Sequence, residues 1–166
     1  MLAEFEKQKI EREHIRRESR LTMIISISLL VSIVAYALVA YLAAGNRPPD
    51  RGVRDAWSIL NIVSIMLIIA VLAVRKTIYF SPRLVREDFT LVALLQRWRL
   101  IDIVLLSFAE VIAIFGLVIT LLGMPFARTF HFFISGFLLT MINMPITFKV
   151  RDKIRMFEKY AGRSIL

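Results

Sequence analysis

Four long apolar stretches divide the chain, and charge is confined to the segments between and beside them. Residues 21–44 and 56–74 hold no Asp, Glu, Lys or Arg. Residues 103–122 hold one, Glu110, and residues 130–148 hold none, with His131 at their edge. Each stretch reaches the roughly 17–25 residues that a helix needs to cross the hydrocarbon of a bilayer. No apolar/polar alternation of period two appears, which argues against barrel strands. The pattern predicts an all-α integral membrane fold: four transmembrane helices in one domain covering residues 1–166, paired as two antiparallel hairpins.

The intervening segments add shorter elements. Residues 1–20 read as a charged helix, with Glu13 and Arg17 as a favourable i,i+4 pair. It is either an extension of the first span into water or a docking helix for another protein. Ser81-Pro82 can start a helix. Beyond it Val85, Phe89, Val92, Leu95 and Trp98 recur at spacings of three and four, with Arg83, Arg86, Arg97 and Arg99 near the ends. That pattern predicts an interfacial helix over 82–99, lying in the head-group layer with Trp98, Arg97 and Arg99 as membrane-surface anchors. The tail, 149–166, repeats it. Val150, Ile154, Phe157 and Ala161 form an apolar stripe among basic residues that include Lys153 and Arg155, so it reads as a basic amphipathic segment on the same surface. Asn46-Arg47-Pro48-Pro49-Asp50 and Gly123-Met124-Pro125 read as tight turns, and Pro145 predicts a kink in the fourth span.

Charge then fixes an expected orientation. The N-terminal twenty residues, residues 75–100 and residues 149–166 carry six Lys or Arg each, whereas residues 45–55 and 123–129 together carry four. This asymmetry of 18 against 4 predicts cytoplasmic termini and a cytoplasmic middle loop by the positive-inside rule, in a cell (inner) membrane. Composition agrees with a membrane class: 58 % of residues are hydrophobic, against about 45–50 % in soluble domains. The net charge of +9 flanks apolar runs, which points to anionic lipid head groups and not to nucleic acid. A cleaved signal peptide is not expected, because the first apolar run starts only at Leu21 and is too long for one. The chain has no cysteine, which removes disulfides, thiolate metal sites and thiol nucleophiles.

Glu110 is the residue that invites chemistry. A carboxylate at mid-bilayer depth costs about 2.5–3.5 kcal/mol on insertion scales, so it is seldom decoration. No Lys or Arg lies in any of the four stretches to pair with it. Ala109, Ala113, Gly116 and Thr120 make a small-residue stripe that suits close helix packing. Ser32 and Tyr36 in the first stretch, and Thr140 and Asn143 in the fourth, could turn inward to complete a polar site around Glu110. Two roles compete: an interhelical hydrogen-bond clamp, or an ion or proton site. Asp102 is expected at the start of the third span, where a carboxylate suits the positive helix end.

Residues 108–119, Phe-Ala-Glu-Val-Ile-Ala-Ile-Phe-Gly-Leu-Val-Ile, resemble the carboxylate-bearing helix of rotary ATPase proteolipid (c-type) subunits. The resemblance implies that Glu110 takes up a transported ion. It extends over about a dozen residues, and the glycine-rich helix that precedes the carboxylate in that family has no counterpart, since 56–74 contains no glycine.

Two functions follow as expectations. The first is a non-enzymatic subunit or scaffold of a membrane assembly, partnered by the lipid bilayer and by copies of itself or other membrane subunits. The second is an oligomeric ion- or proton-coupled transporter using Glu110. An enzyme is not expected: no second acid, base or nucleophile accompanies Glu110, and neither a cofactor motif nor a metal-ligand spacing is present.

Overall fold

The computed structural model describes residues 2–45, 49–79 and 91–144, with side chains over 20–45, 49–77 and 96–144. These residues form four helices and no strand: α1 (Leu2–Ala43), α2 (Arg51–Tyr79), α3 (Leu91–Leu121) and α4 (Phe126–Asn143). Three carry segments long and apolar enough to cross a membrane, Arg20–Ala43, Arg51–Thr77 and Gln96–Leu121. At a rise of about 1.5 Å per residue, each exceeds the roughly 30 Å of bilayer hydrocarbon. A helix satisfies its backbone internally, which is what makes such segments tolerable in lipid. α4 has 18 residues and is not among the three. Its length of roughly 27 Å falls just short of the same thickness.

The helices differ from the expected boundaries in instructive ways. α1 is a single helix of 42 residues, so the charged segment before residue 20 continues the first apolar stretch without a break. Of the interfacial helix expected over 82–99, only residues 91–99 are among the described residues. Residues 91–99 are the opening turns of α3, and no break separates them from 103–122. The sequence 91–102 contains neither Gly nor Pro to interrupt it, so helical hydrogen bonding runs through. Trp98, expected in the head-group layer, is buried at 8 % exposure; Arg97 is exposed and Arg99 half-buried. Asp102 does not open a helix: it lies well inside α3 and is buried. The rest of the expected interfacial segment and the tail with Lys153 and Arg155 lie outside the described residues.

The fourth stretch also ends differently. α4 starts at Phe126, four residues before the expected boundary, and ends at Asn143. Met144 leaves the helical region (φ −58°, ψ 126°) because the following residue is Pro145, whose ring disfavours α geometry in its predecessor. The described helix therefore ends at Asn143, and the kink expected at Pro145 lies outside the described residues.

The turn between α3 and α4 is a Schellman cap. Gly123 adopts φ +105°, Gly123 N donates to Thr120 O at 3.0 Å, and Met124 N donates to Ile119 O at 3.1 Å. Buried Met124 anchors the turn, and Pro125 leads directly into α4.

α3 is the central helix: α4, α1 and α2 all pack on it, and α1 also meets α4. α1 and α2, although joined by a short connection, scarcely touch, so the first of the two expected hairpins is not a packed pair. One core cluster joins α2, α3 and α4 through Val71, Leu105, Ala109, Ile112, Phe132 and Leu139. A second joins α1, α3 and α4 through Ile33, Ala40, Ala113 and Phe133. The faces turned away from these clusters are apolar, for example Val31, Val34 and Leu38 on α1 and Ile62, Ile65 and Ile69 on α2, as a lipid-facing surface requires.

Candidate functional site

The α3–α4 crossing is built on small residues. Ala109, Ala113, Gly116 and Thr120 are all buried and face α4. A Cβ on Gly116 would lie 2.8 Å from Phe132 Cβ, and one on Gly136 would lie 2.7 Å from Ala109 O. In lipid the helices gain no hydrophobic driving force from meeting each other, so close approach and dispersion must supply the attraction. The small-residue stripe therefore lies where α3 and α4 approach too closely for a Cβ at Gly116 or Gly136. Near the turn, Thr120 and Thr129 share a hydroxyl–hydroxyl bond of 2.6 Å, while Thr120 Oγ1 also reaches Gly116 O and Thr129 Oγ1 reaches Phe126 O.

Glu110 follows Ala109 by one residue. About 100° of helix rotation therefore carries it off the α4-facing side and toward α1. There Tyr36 OH donates to Glu110 Oε1 at 3.1 Å, and both residues are half-buried. Of the residues expected around Glu110, only Tyr36 bonds to it. Ser32, one turn before Tyr36, donates to Ser28 O (3.1 Å). Thr140 Oγ1 donates to Gly136 O and Asn143 Nδ2 to Leu139 O, both at 2.9 Å. Thr140 and Asn143 thus bond within their own helix and not to Glu110. Of the five residues expected in one polar site, the structure joins Glu110 to Tyr36, because α4 meets the Ala109 side of α3 and α1 meets the Glu110 side.

A second polar node ties α2 to α4. His131 Nε2 and Asn61 Oδ1 are 2.9 Å apart, Trp57 Nε1 donates to Arg128 O at 3.3 Å, and the Trp57 and His131 rings meet edge to face. Nothing along the chain links these residues, since the partners are 70 and 71 positions apart. On α2, Ser58 bonds to Arg54 O. Buried Ser64 Oγ is left without a hydrogen-bond partner among the described residues. At the same end Phe126 contacts Tyr41, Phe130 and Phe133, fastening the end of α1 to the start of α4.

Among the described residues no group of three or more His, Asp or Glu gathers as a metal centre would require. No family model matches the chain, and no curated protein or solved structure matches it either. Its class therefore rests on its own architecture: it is an all-α membrane protein with three helices long and apolar enough to span a bilayer.

Proposed function

We propose that the chain is a non-enzymatic subunit or scaffold of a membrane assembly, crossing the bilayer four times with both termini and the middle loop cytoplasmic. The supporting observation is how little of α1 and α2 the rest of the chain covers. Each lies along one side of α3, they scarcely touch each other, and most of their described side chains stay exposed. A bundle this open offers two long helix faces to other membrane helices. Among the described residues the polar groups, meanwhile, make isolated bonds within or between helices and do not converge on a substrate-sized site. The fourth crossing rests on α4 together with the apolar residues Ile146 and Phe148 that follow it in sequence. In this reading Glu110 is a clamp joining α3 to α1. Purification of tagged protein in mild detergent tests the proposal by mass: the expected outcome is a discrete complex larger than one chain, of copies or of other membrane proteins. A lone monomer at all detergent concentrations would overturn it.

The transport reading keeps one specific support, the half-buried carboxyl of Glu110 in the middle of a span. Flux in reconstituted vesicles tests it. An ion site loses flux in Glu110→Gln, because the amide cannot ionise, whereas a clamp keeps its hydrogen bond, because the amide oxygen still accepts from Tyr36.

A further inference from the structure

Helix geometry leaves Glu110 at an edge. On α1, Ile33 and Ala40 face the core, and Ala37 and Tyr36, about 100° apart around the helix, both pack against the cluster shared with α4. Glu110 lies about 100° around α3 from the α4-facing Ala109, so the half-buried Tyr36–Glu110 bond sits on the margin of the α1–α3 contact. The same margin carries Ser32, half-buried, and Ser28 and Ser107, both exposed. Ser32 and Ser107 are spent on their own helices, donating to Ser28 O and Ile103 O. The result is a polar strip in the middle of two apolar helices, with a carboxyl group that has one hydrogen bond among the described residues. Lipid tails bring neither a donor nor a counter-charge to it. The chain brings no cation either, because none of its apolar stretches contains Lys or Arg.

We infer that this margin docks a transmembrane helix of another protein that carries a single Lys or Arg at mid-bilayer depth, which pairs with Glu110. Charge complementarity selects this occupant. A second copy of the chain would bring a carboxyl to a carboxyl, whereas a basic side chain supplies both the missing charge and the missing donors. Tyr36 positions the carboxyl by holding Oε1, so that Oε2 remains for the incoming cation. The small side chains Ser28, Ser32 and Ser107 let the partner backbone come close. The inference rests on the subunit reading and names the chemistry of the partner.

The test uses the full chain, labelled with a donor dye through Gly45→Cys and reconstituted in phosphatidylcholine vesicles. Acceptor-labelled single-span Leu/Ala peptides carry Lys, Leu or Gln at their centre. The central-Lys peptide is expected to associate about tenfold more tightly than the central-Leu peptide, a difference of about 1.4 kcal/mol. Glu110→Gln, which can keep the Tyr36 bond and hence the fold, is expected to erase that preference. Equal association of all three peptides with wild-type protein would overturn the inference, as would a Lys preference that survives in Glu110→Gln. Glu110-dependent energy transfer between two labelled copies without peptide would assign the margin to a second copy, and that too would overturn it. None of these results bears on the subunit reading, which stands or falls on the mass of the purified complex.

Discussion

Gly136 of α4 rests directly on the backbone of α3: a Cβ at this position would lie 2.7 Å from Ala109 O and 3.3 Å from Ala113 Cβ. Backbone cannot swing aside as a flexible side chain can, so this approach sets the spacing of the two best-packed helices. Gly136→Ala is expected to destabilise by about 1–3 kcal/mol, the range for overpacking a filled contact. Gly116→Ala should behave similarly, because it meets Phe132 Cβ at 2.8 Å. Gly52→Ala, with nothing within 4 Å of its new methyl, should be neutral or slightly stabilising. Thermal unfolding in detergent, followed by circular dichroism, ranks the three; a Gly136→Ala protein as stable as Gly52→Ala would contradict the close crossing.

The hydroxyl pair of Thr120 and Thr129 gives a second measurement. Thr120 retains Gly116 O when its neighbour is removed, and Thr129 retains Phe126 O, so neither single change orphans a buried group. The Thr120→Val and Thr129→Val cycle should therefore return a modest coupling, about 0.6 kcal/mol and no more than about 1.7, as for interhelical bonds in membranes. Zero coupling would mean that the hydroxyls do not meet.

Topology can be read with single cysteines, since the chain has none of its own. Gly45→Cys is expected to react with an impermeant maleimide from outside sealed cells, while Ser81→Cys and Arg163→Cys react only after permeabilisation. Labelling of Arg163→Cys from outside, with Ser81→Cys still protected, would reduce the crossings from four to three. The test thus isolates the one span that α4 alone does not complete.

Trp98 distinguishes the continuous α3 from a loop helix lying on the membrane surface. In a Trp57→Phe background its emission is expected to be blue-shifted and poorly quenched by iodide, as suits a side chain at 8 % exposure. A strongly quenched, water-like spectrum would restore the surface-helix picture.

Three spans of this protein are legible in its sequence, because bilayer thickness and backbone hydrogen bonding leave a charge-free apolar run of that length few other conformations. The small-residue stripe 109–113–116–120 and the Gly123 turn were legible for similar reasons: each depends on spacing or on a backbone angle that one residue type tolerates. What the sequence could not order was the arrangement of helices around α3. Apolar exteriors are interchangeable in lipid, so periodicity does not say which face meets which neighbour. Tertiary packing decided that α1 takes the Glu110 side of α3 and α4 the Ala109 side. That choice joined Glu110 to Tyr36, 74 positions away, and left Thr140 and Asn143 bonded to their own helix. It also decided that α1 and α2 stay apart, because α3 and α4 fill the close contacts while the short connection between them fixes only their ends.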